Sequence, residues 1–560
     1  MKIIQKSGLL TIVIMLLSNF LHAKEAYISV ITAMEVTNVC TIGETKIDYA
    51  DLGDALTAVK NNQTIKLLQT VNYDKTIKID NKSITFDLNG FNLNLESSGT
   101  ALIVVGVGSE VKLTGKGEFN VSCNDDEGTG VAAENGGKAT VTNATGGYQG
   151  VYAGNNATVT VHGNVTSTSA FFLALGMGYG VRAKKNSTVT VHGNVISIGN
   201  YGIEADNNVA VAVYGDVTGG HYGVKADNNA TVTVYGDITG NAWGVYALNG
   251  SVVKVSGIAS GSTYGIEALG SSNVTVTGGV VSELNGIGAK SGSKVSVSGG
   301  ATGNQFGVIA EGNATVVTVY GDVSGLVAIG SNVTVAGDVI GNFNGVDAQS
   351  NAAVTVSGSV TSVTSVGVIA ITGSTVSISR SVIGGSSGIV ADNATVMIGG
   401  DVMSANPESS GVRINSHSSR AEVTIDGQVK VLNECIVEYF IQTAPDSYYI
   451  AFLKRADNLP SSTKSGYLEY AVGTNYVWVK DNGTGTDIIA QPTSALKAFV
   501  KNGRLRVSGL TVGDLYTVYN LFGMVVHQSM ATAEEAEINL PAKGIYIIVS
   551  LGQSVKAGNF

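Results

Sequence analysis

Proline and cysteine are scarce: five prolines and three cysteines in 560 residues. So little cysteine excludes a disulfide scaffold, and Cys40, Cys123 and Cys435 lie too far apart for a metal-binding motif. An odd count leaves at least one thiol unpaired within the chain. Isolated buried thiols and a Cys40–Cys123 bridge both fit the spacing. Few prolines and no Gly-X-Y period exclude collagen. Charge is sparse too, at 14% of residues, and 33 basic against 43 acidic side chains give a net −10. With no basic stripe, nucleic acid is excluded as the expected partner. Past the amino end no apolar run reaches the length needed to span a bilayer, so the mature chain is expected to have no transmembrane segment. What the chain does have is glycine, 73 residues or about 13% against a usual level of about 7%, and 44% hydrophobic residues, too many for disorder.

The first residues read as an export signal. Lys2 and Lys6 carry positive charge, Leu9–Leu17 are apolar apart from Thr11, and Leu21-His22-Ala23 ends on a small residue, so cleavage is expected after Ala23. No cysteine follows that would mark a lipoprotein.

Beyond it the chain repeats itself. The glycine of a G-V/I-x-A unit recurs at Gly130, Gly150, Gly180, Gly202, Gly223, Gly244, Gly265, Gly286, Gly307, Gly345, Gly367, Gly388 and Gly411, with a degenerate copy near Gly325. A second mark follows each first, as in NATVTVHGNVTS (156–167) and NATVTVYGDITG (229–240). Each unit offers three short strands, of the types YGVKA, TVTVY and DVTG, rich in the β-branched residues that favour pleated structure. Asp, Asn and Gly punctuate them. A unit of about 21 residues cannot bury its own apolar face, so copies must stack. The expectation is an all-β chain: a single-stranded parallel β-helix of about 14 coils.

Alternation sorts the side chains. Arg182, Glu204, Lys225 and Glu267 are expected to face water, and Tyr222, Val224 and Ala226 to face inward. Tyr179, Tyr201, Tyr222, Trp243, Tyr264 and Phe306 then form an aromatic stack inside the rod or at its corner; a sugar-binding strip is the alternative. A second row ends the second strand: His162, His192, Tyr214 and Tyr235, later Tyr320. Alternation turns these rings to solvent, and the first four are the candidate ligand-binding residues. Asp216, Asp237, Asp322, Asp338 and Asp401, with Asn164 and Asn194 in the equivalent place, follow the strand-two glycine; a turn requirement explains them more simply than calcium chelation.

These residues resemble the parallel β-helix of pectin-lyase-like and bacterial surface-adhesin proteins, over roughly residues 65–432. The likeness is one of architecture. In YADLGDALTAVKNNQTIKLL, Leu52, Ala55, Leu56 and Val59 stand at helical spacing and suit a cap over the first coils. Residues 24–98 are thus read as cap and first coils, 99–432 as the repeat, and 433–490 as a β transition closing the rod.

From Gln491 the grammar changes to short alternating strands, expected to form a small immunoglobulin-like β-sandwich. Tyr519 and Gly523 in VYNLFG, and Leu540, Pro541, Gly544 and Tyr546 in LPAKGIYI, resemble the type A C-terminal sorting domain of the type IX secretion system. The resemblance implies recognition by that machinery, release of residues 491–560, and a mature protein at the outer-membrane surface or outside the cell. Surface or environmental glycans are the further partners in view. The chain lacks the GHG, NTD and RIK sets of polygalacturonases and shows no acid–nucleophile arrangement, so no catalytic residue, metal or cofactor is expected. The reading is an exported, non-catalytic β-helix for adhesion, glycan binding or spacing; the alternative is a polysaccharide lyase or glycoside hydrolase on a pectin-lyase-like β-helix.

Overall fold

Valine and threonine alternate in the repeat, and in the structure that alternation becomes one coil of a parallel β-solenoid. The computed structural model describes residues 37–43, 46–168, 178–416, 420–444, 447–481, 496–501, 504–512, 515–520, 525–540, 544–550 and 553–559. The export signal, and Gly523 and Pro541 of the C-terminal motif, lie outside them. A representative coil runs through Tyr222–Asp227, Thr231–Val234 and Ile238–Gly240. Each strand pairs in parallel with its counterpart 21 residues on, Val224 with Val245, Val232 with Val253 and Ile238 with Ala259. The three strand types make three faces, called here first, second and third. Like residues stack on like along the core: Val224, Ala226, Val232, Val234 and Ile238 are all fully buried.

The first face holds 18 strands, of which 17 run parallel and the last, Ser447–Lys454, antiparallel. Seventeen coils at about 4.8 Å make a rod roughly 80 Å long, three coils more than the glycine marks indicate. The additional first-face strands include Ile77–Asp80, Thr100–Val105 and Cys435–Ala444, none of which carries the marking glycine. The coiling also continues past Val431: Cys435–Ala444 pairs in parallel with Val412–Ser416, and Asn475–Lys480 with Glu422–Ile425.

The corners explain the composition. Between first and second strands two successive residues take left-handed backbone, as at Asn228 (φ 51°) and Asn229 (φ 60°), a conformation asparagine tolerates. Their amides extend the ladder, Asn208 N donating to Asn228 O at 3.0 Å and Asn229 N to Asn249 O at 3.0 Å. The marking glycine has a different cause. A Cβ on Gly223 would lie 2.4 Å from Ile238 Cγ2 and 2.7 Å from Gly244 O, so no side chain fits that corner.

Both ends are closed. Helix Leu52–Ala58 starts at Asp51, whose carboxylate accepts from Gly53 N and Asp54 N, and it buries Leu52 and Ala55 as the helical spacing predicts. Strand Cys40–Ile42 pairs antiparallel with Gln63–Leu67. That strand covers an edge that would otherwise recruit further chains. At the other end the hairpin of Tyr467–Val472 and Asn475–Lys480 covers the last coil, and buried Tyr439 donates from its hydroxyl to Tyr470 O at 2.9 Å.

The C-terminal segment forms two small antiparallel sheets, one of three strands and one of four, around a core of their own that includes Leu505, Val507, Tyr516, Val518, Tyr546 and Ile548. All three cysteines are free, so the Cys40–Cys123 bridge does not form. Burial pushes the Cys40 thiol up to about 11, with Asp51 and Asp48 adding to it. Among the described residues, no helix is long and apolar enough to cross a membrane.

Candidate functional site

The predicted row of rings exists as a ladder. His162, His192, Tyr214 and Tyr235 each follow a second-face strand, and their amides donate to Val141, Val161, Val191 and Val213 of the coil before. Ring centroids lie 5.5 Å apart from His162 to His192, 5.0 Å from His192 to Tyr214 and 4.7 Å from Tyr214 to Tyr235, with the last two pairs within 6° of parallel. Tyr214 and Tyr235 are about half exposed, at 49% and 50%. Such close stacking sets a limit: each inner ring has its faces covered by its neighbours, and no sugar can slide between rings already in contact. What the ladder offers is its rim, a line of imidazole nitrogens and phenol oxygens spaced by about one coil. The two end rings, His162 and Tyr235, are each stacked on one side within the row.

The other aromatic row also stacks, in the order Tyr179, Tyr201, Tyr222 and Trp243, at 5.1, 5.1 and 4.9 Å. It sits at the corner and on the outer side, which corrects the inward placement of Tyr222. The guanidinium of Arg182 lies 4.5 Å from the Tyr179 ring centre, Lys225 lies over Tyr201, and Trp243 Nε1 donates to Glu267 at 2.8 Å. The rings lie against the charged row. Those charges are therefore less wet than expected. Arg182 and Glu204 pair at 2.9 Å with side chains 24% and 12% exposed. Burial drives the Tyr222 phenol up to about 12.

The acid row is structural. Each Asp or Asn after the strand-two glycine accepts the amide of its counterpart one coil on: Asn194 N donates to Asn164, Asp216 N to Asn194 and Asp237 N to Asp216, at 2.8–2.9 Å. Asp237 in turn accepts from Ile258 N at 2.7 Å. An amide oxygen serves as well as a carboxylate here, which is why both residues occur. Asp237→Asn is expected to hold stability within about 0.5 kcal/mol, and Asp237→Ala to lose about 1–2 kcal/mol, by urea unfolding. A calcium chelator should leave both curves in place. Among the described residues, no group of three or more His, Cys, Asp or Glu side chains could hold a metal.

One polar cluster escapes the repeat reading. Near the amino end a cavity of about 540 Å³ is bordered by Asn72, Asp74, Asn94, Glu96, Asn124 and Asp125. Its floor is a chain of amides, Asn94 Nδ2 donating to Asn72 at 2.8 Å and Asn120 Nδ2 to Asn94 at 3.1 Å. Asn124 donates to Glu96, and Asp125 accepts from Gly99 N at 3.0 Å. It lies where a coil is longer than the repeat, successive first-face strands starting at Thr100 and Thr129, 29 residues apart. The signal was present in the sequence as NDDEG, residues 124–128, an acidic run that interrupts the repeat. No protein-family model matches the chain, and no curated protein matches it either.

Proposed function

We propose that the chain is an exported, non-catalytic β-solenoid that works at the cell surface or outside the cell, holding glycans along its flank or spacing what it carries. The observation behind this is the rim of the His162–His192–Tyr214–Tyr235 ladder. Its donors and acceptors repeat at a spacing close to the length of one sugar unit, so an extended glycan lying parallel to the rod meets one ring edge per residue. The rest of the outer surface repeats its polar groups for coil-to-coil bonding, which leaves little for a reaction centre. The triple variant His192→Ala, Tyr214→Ala, Tyr235→Ala is expected to lose glycan-array or cell binding at least tenfold while keeping its melting temperature within a few degrees. Unchanged binding would remove the ladder from the account. Delivery is assigned to residues 491–560 as an immunoglobulin-like sorting domain of the type IX secretion kind, on the motif around Tyr519, Leu540, Gly544 and Tyr546. Deleting them should leave the protein behind the outer membrane, checked by surface labelling.

The cleft favours a second reading, hydrolysis or elimination on a polysaccharide, since Glu96, Asp74 and Asp125 all border it where the repeat breaks. Incubation with a polysaccharide panel separates the two readings. Reducing ends or unsaturated products that vanish in Glu96→Gln would establish the enzyme; none is expected.

A further inference from the structure

The third face is interrupted at one place. An eleven-stranded sheet ends at Ala301–Thr302, and a five-stranded one starts at Val339–Gly341. The coil between is short, with Val308 pairing with Leu326, 18 residues on, where Val224 and Val245 are 21 apart. Bridges from Val323 alone join the two sheets, and Asn342 Nδ2 reaches past the missing corner to Asn304 O at 3.1 Å.

Beyond this break the outward side of the third face is covered. Ile340 and Thr361 are each 7% exposed, whereas Ile196 and Val281, at the same outward position before the break, are 41% and 38% exposed. The cover is the outer side of the four-stranded C-terminal sheet. Leu515, Thr517, Tyr519 and Met530 border a cavity of about 270 Å³ together with Thr361, Ile383 and Met403 of the rod. Alternation along Leu515–Asn520 sends Tyr516 and Val518 into the sandwich core and turns Thr517 and Tyr519 the other way. Tyr519 is nevertheless 6% exposed. Burial pushes its phenol up to about 12, the Thr517 and Thr361 hydroxyls act against the rise, and the charges of Asp338 and Asp322 add to it.

We propose that the third face just past the short coil, from Ile340 to Met403, is a resident binding site for the outer sheet face of the C-terminal sandwich, with Tyr519 seated beside Thr361. While the two are docked, that face is withheld from any other partner. The covered strip begins with the first strand after the break, Val339–Gly341, so the break marks where along the rod the sandwich sits. Hydroxyls and the Gln528 amide share the lining with apolar groups, and a cavity is left unfilled. Those are traits of a contact made to part. Whatever reads the sandwich by this face competes with the rod.

The test is a protease site inserted between Asp481 and Leu496, cut after the full chain has folded, with association of the two pieces followed by sedimentation through a dilution series. The pieces are expected to stay together at micromolar concentration. Thr361→Arg and Tyr519→Ala should each weaken them at least tenfold, and Tyr519→Phe by a smaller factor. Thr361 lies on the rod, so its variant leaves the sandwich core untouched and keeps the test valid should Tyr519→Ala fail to fold. Separation of the parent pieces at micromolar concentration, or an unchanged dissociation constant in Thr361→Arg, would overturn the proposal. So would an uncut dimer that Thr361→Arg dissolves, since docking would then join two copies.

Discussion

Gly223→Val should cost the rod about 3 kcal/mol or more and split its unfolding into two phases. The first Cβ already meets Ile238 Cγ2 at 2.4 Å and Gly244 O at 2.7 Å. Neither can retreat: Ile238 is fully buried, and Gly244 belongs to the strand that pairs with the next coil. Overpacking a dense interior costs about 1–3 kcal/mol, and displacing a paired carbonyl adds to that. Because coils touch only their neighbours, a fault at the centre uncouples the halves on either side. Urea unfolding followed by intrinsic fluorescence and by amide exchange would show the split. Gly90→Ala makes the contrast: nothing lies within 4 Å of its Cβ, but φ is +89°, so the cost is backbone strain of about 1–2 kcal/mol.

Tyr439→Ala should cost about 3–5 kcal/mol, the range for emptying a large buried aromatic site. The ring is fully buried under the closing hairpin and its hydroxyl holds Tyr470 O. Tyr439→Phe keeps the packing and drops one hydrogen bond, so about 1 kcal/mol is expected. The two variants should differ in where they loosen. In the alanine variant, amide exchange should rise first across Val412–Ser416 and Glu422–Ile425, and an uncovered strand edge should bring concentration-dependent aggregation.

The solenoid could be read from residues whose job recurs in every coil. Inward valines, the marking glycine and left-handed asparagines each repeat because each coil poses the same steric problem, and a period is visible without knowing what it solves. The Asp row was legible as a repeat position, but its cause, a side chain accepting the amide of the next coil, is not the turn requirement the sequence suggests. Tyr222 was misplaced because strict alternation breaks at Gly223, which is buried beside buried Val224. The coil number fell short because Ile77–Asp80 and Cys435–Ala444 do the same work without the glycine. The cleft at Glu96 and Asp125 was missed for the opposite reason: the run NDDEG marks a break in the repeat, but which residues of neighbouring coils meet there is recorded by no local spacing. The covered strip at Ile340 and Thr361 lay further out of reach, since it needs the position of the C-terminal sheets as well as the coil.

The strand-to-strand hydrogen bonds of the regular coils point along the long axis and join residues about 21 apart in the chain. Tension applied at the two ends therefore loads one junction at a time. A released coil pays out roughly 65–70 Å of slack for the 4.8 Å it gives up. Under drag such a filament would lengthen in steps and reel back in when the load falls, behaving as a shock absorber between whatever is fastened to its two ends.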